Sequence, residues 1–477
     1  MPPNLYANPL IPGQPIIQPM LSLRRHASET IVLAAPLAIT QLAQLAMQVT
    51  DTVLLGSLGE HAIAVGGFGS KLFFTILILL QGTLAAAGVL VTQARGAQDW
   101  GRIPVVYWTG FLLALLLSVP AILLLSVVEP ILTFLGQPAD LAHDIGRYEA
   151  IMRWAAPAGL ISIGLMRGFL SALQRPRVVW MVTITATIVN GFLNYGLIHG
   201  RWGLPEIGFL GSAVATTIAL WGTAIALLAI VHINSSFRKF VPPARLSRPV
   251  LVEIVRIGWP IGVTHVVEVA LFLSTGFLCT LIDLATAAAH QIAISVAGMS
   301  FMVAFGIAQA ANVRVGYWAG ARRPDEVRRA GWVAMWITIA FMSTSGLVLI
   351  TFPHPIIGLF VDLKDPANAG VISVATTLLA LAALFQVADG VQTVASGCLR
   401  GIKDTGIPMV LATFGYWGIG FPAAYALAFY AGWLAPGVWS GLALGLIVVA
   451  VMLGWRFHLR SRGAVRPLGD LALGKTG

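Results

Sequence analysis

The sequence predicts an all-α integral membrane protein, with twelve transmembrane helices in two six-helix lobes related by pseudo-two-fold symmetry. Three observations carry this. Of 477 residues, 57% are hydrophobic and only 10% charged, and the mean hydropathy is +0.85, which excludes an ordinary soluble domain. Apolar runs long enough to span a bilayer recur along the chain. The chain also repeats itself at an offset of 224 residues.

Taken in order, helices are expected near 32–55, 62–92, 104–127, 148–172, 178–199 and 208–233, then near 252–281, 286–317, 329–352, 372–399, 406–430 and 436–456. The first contains Pro36, which removes a backbone donor and predicts a helix bend. It also carries Gln41, Gln44, Gln48 and Asp51 at spacings of three, four and three. At about 100° per residue these four fall within roughly 80° of arc, one polar stripe on a greasy helix. The second is longer than an upright span needs and should tilt or protrude. Its GGFGS run (66–70) reads as close helix packing, while Lys71 has no assigned role. The fifth bears Thr183, Thr187, Asn190 and Asn194 at four, three and four; the seventh bears His265 and Glu268. The tenth bears Gln386, Asp389, Thr393 and Ser396 at three, four and three. The remaining helices rest on apolar length.

These runs give a cytoplasmic N-terminal tail (1–31), an N-lobe (32–233), a cytoplasmic linker (234–251), a C-lobe (252–456) and a basic cytoplasmic C-terminal tail (457–477). The proline-rich start lacks the basic residues of a signal peptide and reads as a tail. Basic residues sit at every second helix boundary: Arg24/Arg25, Arg95/Arg102, Arg175/Arg177, the linker group, Arg322/Arg323/Arg328/Arg329, Lys403 and the C-terminal tail. Glu60, Glu129, Asp140, Asp144, Glu206, Asp283, Asp362 and Asp365 mark the alternate boundaries, with only Arg147, Arg201 and Lys364 as basic company. The positive-inside rule then puts both termini in the cytoplasm. It also accounts for the net charge of +10 without a nucleic-acid partner, since no basic face with interleaved aromatics is present. The two cysteines, Cys279 and Cys398, lie in apolar runs and suggest neither a disulfide scaffold nor a metal cluster.

The repeat aligns 36–97 with 260–321 without a gap. Pro36 meets Pro260, Gln41 meets His265, Gln44 meets Glu268, and Gly96 meets Gly320. An offset of 229 later matches Gly168 to Gly397. Six helices per repeat leave both copies in the same orientation, so the axis runs along the membrane normal and a cavity between two bundles is expected.

Most of the nineteen acids fall in loops or at helix ends. Asp51, Glu268 and Asp389 lie well inside expected spans, and intramembrane acids handle ions by default. Gln41, Gln44, Gln48, His265, Phe385 and Gln386 are candidate cavity-lining neighbours. Asn and Gln suit hydration, cation coordination or hydrogen bonds to a protonated acid, but polar residues also hold helices together. An enzyme reading finds little support: His265-x-x-Glu268 supplies two ligands where a catalytic zinc site needs three, and no HExxH occurs. No cofactor is expected.

Pro36 with Asp51, Asn190 with Asn194, Glu268, AAHQIA (288–293) and DGVQTVASGCLRGIKD (389–404) together resemble the multidrug and toxic compound extrusion (MATE) transporters. The likeness is closest to the bacterial branch containing norfloxacin-exporting antiporters and covers about 30–455. The resemblance implies an antiporter of the bacterial inner membrane, a monomer among membrane lipids, exchanging H⁺ or Na⁺ for small-molecule drugs, mostly lipophilic cations. It further implies an N-lobe coupling site of Asp51, Asn190 and Asn194, and a C-lobe site of Glu268 and Asp389. Where such transporters carry tyrosine four residues before the tenth-helix acid, this chain has Phe385, so one oxygen ligand for Na⁺ is missing. The nearest rival, a lipid-linked oligosaccharide flippase of the same superfamily, calls for basic residues in the cavity, and the expected spans offer almost no arginine.

Overall fold

The computed structural model describes residues 20–462, and these are all-helical, without strands. Twelve segments are long and apolar enough to cross a membrane. They are α1 (Leu23–Gly56), α2 (Glu60–Gly96), α3 (Arg102–Ser126), α4 (Ala139–Ala172), α5 (Pro176–His199) and α6 (Leu210–Ile233). After the linker come α7 (Arg248–Thr280), α8 (Leu284–Gly320), α9 (Pro324–Thr351), α10 (Pro366–Gly401), α11 (Gly406–Tyr430) and α12 (Leu434–Arg460). Two helices contain π-helical stretches, Leu160–Met166 in α4 and both Phe414–Gly420 and Ala426–Tyr430 in α11. Such widened turns re-aim the side chains around them.

Three expected boundaries need correction. The N-terminal tail was drawn to 31, yet α1 begins at Leu23, capped by Ser22 through its hydroxyl and the Arg25 amide. Residues 23–31 are polar, which hides them from a hydropathy reading, but their polar groups are satisfied by a distant part of the chain. His26 bonds Glu326 at 2.8 Å and Glu29 pairs with Arg314 at 3.1 Å. The linker was drawn to 251, whereas α7 starts at Arg248 behind the Ser247 cap. The C-terminal tail was drawn from 457, whereas α12 runs to Arg460, with Arg456 and Arg460 both paired to Asp404. The first nineteen residues and those after 462 lie outside the described residues.

The repeat is visible in the backbone. Gln98 and Arg322, 224 positions apart, take left-handed φ values of 59° and 57°; Gln174 and Lys403, 229 apart, take 58° and 60°. Each residue closes a turn at the basic end of the bundle. Glycine contacts between the halves are reciprocal in the same way. Gly96 abuts the Tyr317 carbonyl while its counterpart Gly320 abuts the Gln93 carbonyl. Gly82 abuts Gly262, and its counterpart Gly306 abuts Ala38. In a bilayer, lipid tails are as apolar as leucine, so helices associate through close packing of this kind. A Cβ at any of these glycines would collide with backbone.

Two large buried cores result, and each borrows from the other half. One is built on Leu271, Phe385, Trp439 and Phe457, and takes in Leu33, Ala34 and Leu37 of α1. The other is built on Phe73, Leu84, Tyr107 and Phe169, and takes in Val250, Ile254, Ile257 and Ile261 of α7. The exchanged segments surround Pro36 and Pro260, both inside continuous helices; Thr40 and Thr264 each return a hydroxyl to the proline carbonyl, at 2.9 and 2.7 Å. Among the described residues, every hydrogen bond between the halves lies at the basic end. There Glu29 of α1 reaches Arg314, and its repeat counterpart Glu253 of α7 reaches Arg102 at 2.5 Å, besides pairing with Lys403 of its own half at 2.9 Å. Gln93 also donates to the Gly401 carbonyl at 2.7 Å.

Candidate functional site

Between the halves lies a cavity of about 550 Å³, within the range of small-molecule sites. The reciprocal glycine contacts and the Glu29 and Glu253 ion pairs close it at the basic end. Gln41, Gln44 and Gln48 of α1 line one wall, and His265 and Glu268 of α7 line the opposite one. The polar stripes therefore face each other across the cavity, since the pseudo-two-fold turns repeat-related helix faces toward one another. Phe272, Phe301, Met302, Phe305 and Phe385 supply an apolar, polarisable surface. Asp389 completes the acidic side.

The C-terminal acids are joined by a residue the sequence reading did not single out. Gln392 donates through Nε2 to Glu268 Oε1 at 2.7 Å and to Asp389 Oδ1 at 3.1 Å. Tyr416, inside the π-helical stretch of α11, donates to Gln392 Oε1 at 2.9 Å and so fixes which face of the amide meets the acids. His265 Nδ1 stands 3.7 Å from Glu268 Oε2. Phe385 packs edge-on against Trp439 and Phe272, at ring-centroid distances of 5.5 and 6.2 Å. Gln386, expected in the cavity, turns the other way. Its Nε2 donates to the Met342 carbonyl on α9 at 3.1 Å, because that carbonyl and Ser345 lie on the side of α10 facing away from the opening.

Asp51 is 7% exposed and does not line the cavity. Asn194 Nδ2 donates to its Oδ1 at 2.5 Å and Thr216 of α6 donates to its Oδ2 at 3.1 Å. Asn190 reaches the same Thr216 hydroxyl at 3.3 Å. The structure thus brings Asp51, Asn190 and Asn194 together and adds Thr216. The side-chain oxygens of Asn190 and Asn194 are buried without a donor. A carboxylate beside two spare amide oxygens and a hydroxyl is an oxygen-only donor set, chemically suited to a small hard cation, and equally able to accept a proton. Thr183 and Thr187 line a small separate pocket instead.

Two further features escaped the sequence reading. Glu149 of α4 is fully buried, and neither carboxyl oxygen has a hydrogen-bond partner. The apolar pattern, with a span from 148, puts it at a helix end, whereas α4 starts at Ala139. Its neighbour Tyr148 bonds Ser70 at 3.0 Å and packs on Gly69, which gives the GGFGS run its packing role. The cavity also contains arginine, contrary to the expectation of almost none: Arg167 and Arg400 both line its closed end. Lys71 stands exposed on α2, off the cavity wall. Among the described residues, no group of three or more His, Cys, Asp or Glu could hold a metal ion.

The family model MatE matches residues 36–196 and 260–426, one segment in each half. A Burkholderia mallei protein described as a probable multidrug resistance protein NorM is 56% identical over 443 residues, spanning 93% of this chain and 95% of that one. The multidrug resistance protein NorM of Burkholderia vietnamiensis is 54% identical, spanning 93% and 96%. Among solved structures, the eukaryotic MATE transporter AtDTX14 superposes with a TM-score of 0.82 at 22% identity, covering 93% of this chain and 99% of that one. An outward-facing multidrug resistance MATE transporter of the MOP superfamily gives 0.83 at 18%, covering 92% and 96%. With the twelve-helix fold, the paired repeats and these relatives, the chain belongs to the MatE family, as a NorM-like MATE transporter.

Proposed function

We propose that this chain is a secondary active exporter that exchanges H⁺ or Na⁺ for organic, mostly cationic, drugs by alternating access, and catalyses no chemical reaction. The observation that carries the reading is the cavity wall, where aromatic and methionine surface adjoins Glu268 and Asp389. A lipophilic cation gains from ring faces, polarisable sulfur and carboxylates at once. The same two acids can release it when a coupling ion takes its place. Asp51 with Asn190 and Asn194 forms the second coupling site, away from the drug. Because Phe385 offers no hydroxyl, we read the coupling ion as H⁺, or as Na⁺ held around Asp51 alone.

We place the protein in the bacterial inner membrane with its basic end in the cytoplasm, as the positive-inside rule directs. With that end sealed by the glycine contacts, this is the outward-facing state, in which drug leaves and the coupling ion enters. The reverse rocking would break the Glu29 and Glu253 pairs and open the cavity inward.

The test is export of a fluorescent organic cation from proteoliposomes under an imposed pH or Na⁺ gradient. Transport should require one of the two gradients; equal rates with and without them would overturn the antiport reading. For orientation, a cysteine in 136–144 should label from outside, and one in 240–246 only after permeabilisation.

A further inference from the structure

Exchanging one cation for another gives no role to two positive charges at the bottom of the cavity. Arg167 follows directly on the π-helical stretch of α4, and its guanidinium donates to Gln41 Oε1 at 2.5 Å, a neutral amide. Arg400 lies on α10 eleven residues beyond Asp389, about 16 Å along the helix axis. Among the described residues, the Arg400 side chain makes no hydrogen bond or ion pair, and neither arginine has a carboxylate at salt-bridge distance. Other arginines at this end behave differently: Arg102 pairs with Glu253, Arg314 with Glu29, and Arg456 with Asp404.

Arg167 is buried and its Nε has no partner, while Arg400 is part-exposed, and the position of the two is specific. Both line the same cavity as Glu268 and Asp389, at its sealed end, together with the neutral side chains of Gln81, Gln309 and Asn312. The amide nitrogen of Gln81 is also buried without an acceptor. The cavity is therefore polarised along its depth, with acids at mid-height and, below them, two guanidiniums without a carboxylate at salt-bridge distance beside the unpaired side-chain oxygen of Asn312. A positive charge alone could be met by lysine; the planar fork of arginine matches a carboxylate through two parallel bonds.

We propose that the closed end of the cavity is an anion subsite, and that the preferred substrates are amphoteric: a cationic nitrogen beside Glu268 and Asp389, and a carboxylate held by Arg167 and Arg400. This rests on the export reading and narrows its substrate class. A carboxylate there supplies the counter-charge that neither guanidinium has, so acidic substrates gain more than simple cations do. It also gives the substrate a fixed direction, acid end inward.

The experiment compares one dye in two forms, a rhodamine bearing a free carboxylate and its methyl ester, which is a plain cation of nearly equal size. Purified full-length protein should bind the acid more tightly than the ester. In proteoliposomes, Arg167→Gln and Arg400→Gln should each lower the acid-to-ester ratio of export about tenfold, the scale of one lost charge-assisted hydrogen bond. Arg→Lys at either site should recover part of that ratio by restoring charge without the fork. If wild-type protein binds the ester as tightly as the acid, or the variants lower both dyes in proportion, the subsite does not exist. Should the ratio fall only in vesicles containing phosphatidylglycerol, the arginines serve a lipid phosphate and the proposal is overturned. Selective binding of the acid with no gradient-driven export of either dye would leave the subsite standing and remove the export reading instead.

Discussion

In the N-terminal half one carboxylate, Asp51, is held by neutral donors from two other helices and kept off the cavity wall; in the C-terminal half two carboxylates share one amide and face the cavity. The first arrangement can change charge without touching a drug. The second cannot, because anything cationic in the cavity meets Glu268 and Asp389. On the proposed export reading, two halves built from one repeat separate ion handling from ion-and-drug competition. The repeat explains how. Asp51 lies seven residues beyond Gln44, the counterpart of Glu268, so it sits about 10 Å further along its helix and opposite different neighbours.

The sharpest way to break this comparison is Asp51→Asn. It keeps size and hydrogen bonding but fixes the neutral form. The variant should fold and bind a fluorescent cation as wild type does, while gradient-driven export in cells making equal protein is lost. Wild-type export would reduce the Asp51 cluster to helix packing. Next comes Asp389→Asn, which removes a charge that the proposed drug site uses. Here both binding and export should fall, and binding retained at the wild-type level would erase the distinction between the halves.

Smaller changes grade the contacts. Gln392→Ala strips one donor from each of two buried acids, at roughly 1–3 kcal/mol for each unsatisfied group; apparent drug affinity should shift tenfold or more in a direct binding titration. Thr216→Val removes one of the two hydrogen bonds on Asp51 and should shift the ion dependence of export by no more than about tenfold. Phe385→Tyr is the mildest. It returns a hydroxyl to the C-terminal site and should raise the Na⁺ dependence of transport at fixed pH; an unchanged Na⁺ profile would show that this position does not choose the ion.

Much of this architecture is written in the sequence, and the exceptions have physical causes. Spanning length, charge alternation and the 224-residue offset depend on composition and periodicity, which survive without coordinates. The start of α1 does not, because Arg25, His26 and Glu29 look like a solvated tail until Arg314 and Glu326 come from nearly 300 residues away. Asn190 and Asn194 were legible as a stripe. Thr216 and Tyr416 were not, since each is a polar side chain on a largely apolar helix, and its partner is set by packing. Gln392 carried a signal, three residues from Asp389 and within one helical turn of it, and could have been read. Glu149 was hidden by a boundary drawn nine residues too late.

The exchange of helix segments between the two cores bears on how the chain is made. Synthesis delivers the first six helices before α7 exists, so Tyr107 and Phe169 must wait for Val250 to Ile261 to complete their core. The start of α1 waits longer still, since its partners in the other core extend to α8 and beyond. A gene cut at the linker should therefore yield two fragments that are each short-lived in the membrane when made alone, and that protect one another from proteolysis when made together. The segments around the two prolines act as the stitches of assembly: the halves are copies in sequence, but neither is a finished folding unit without the other.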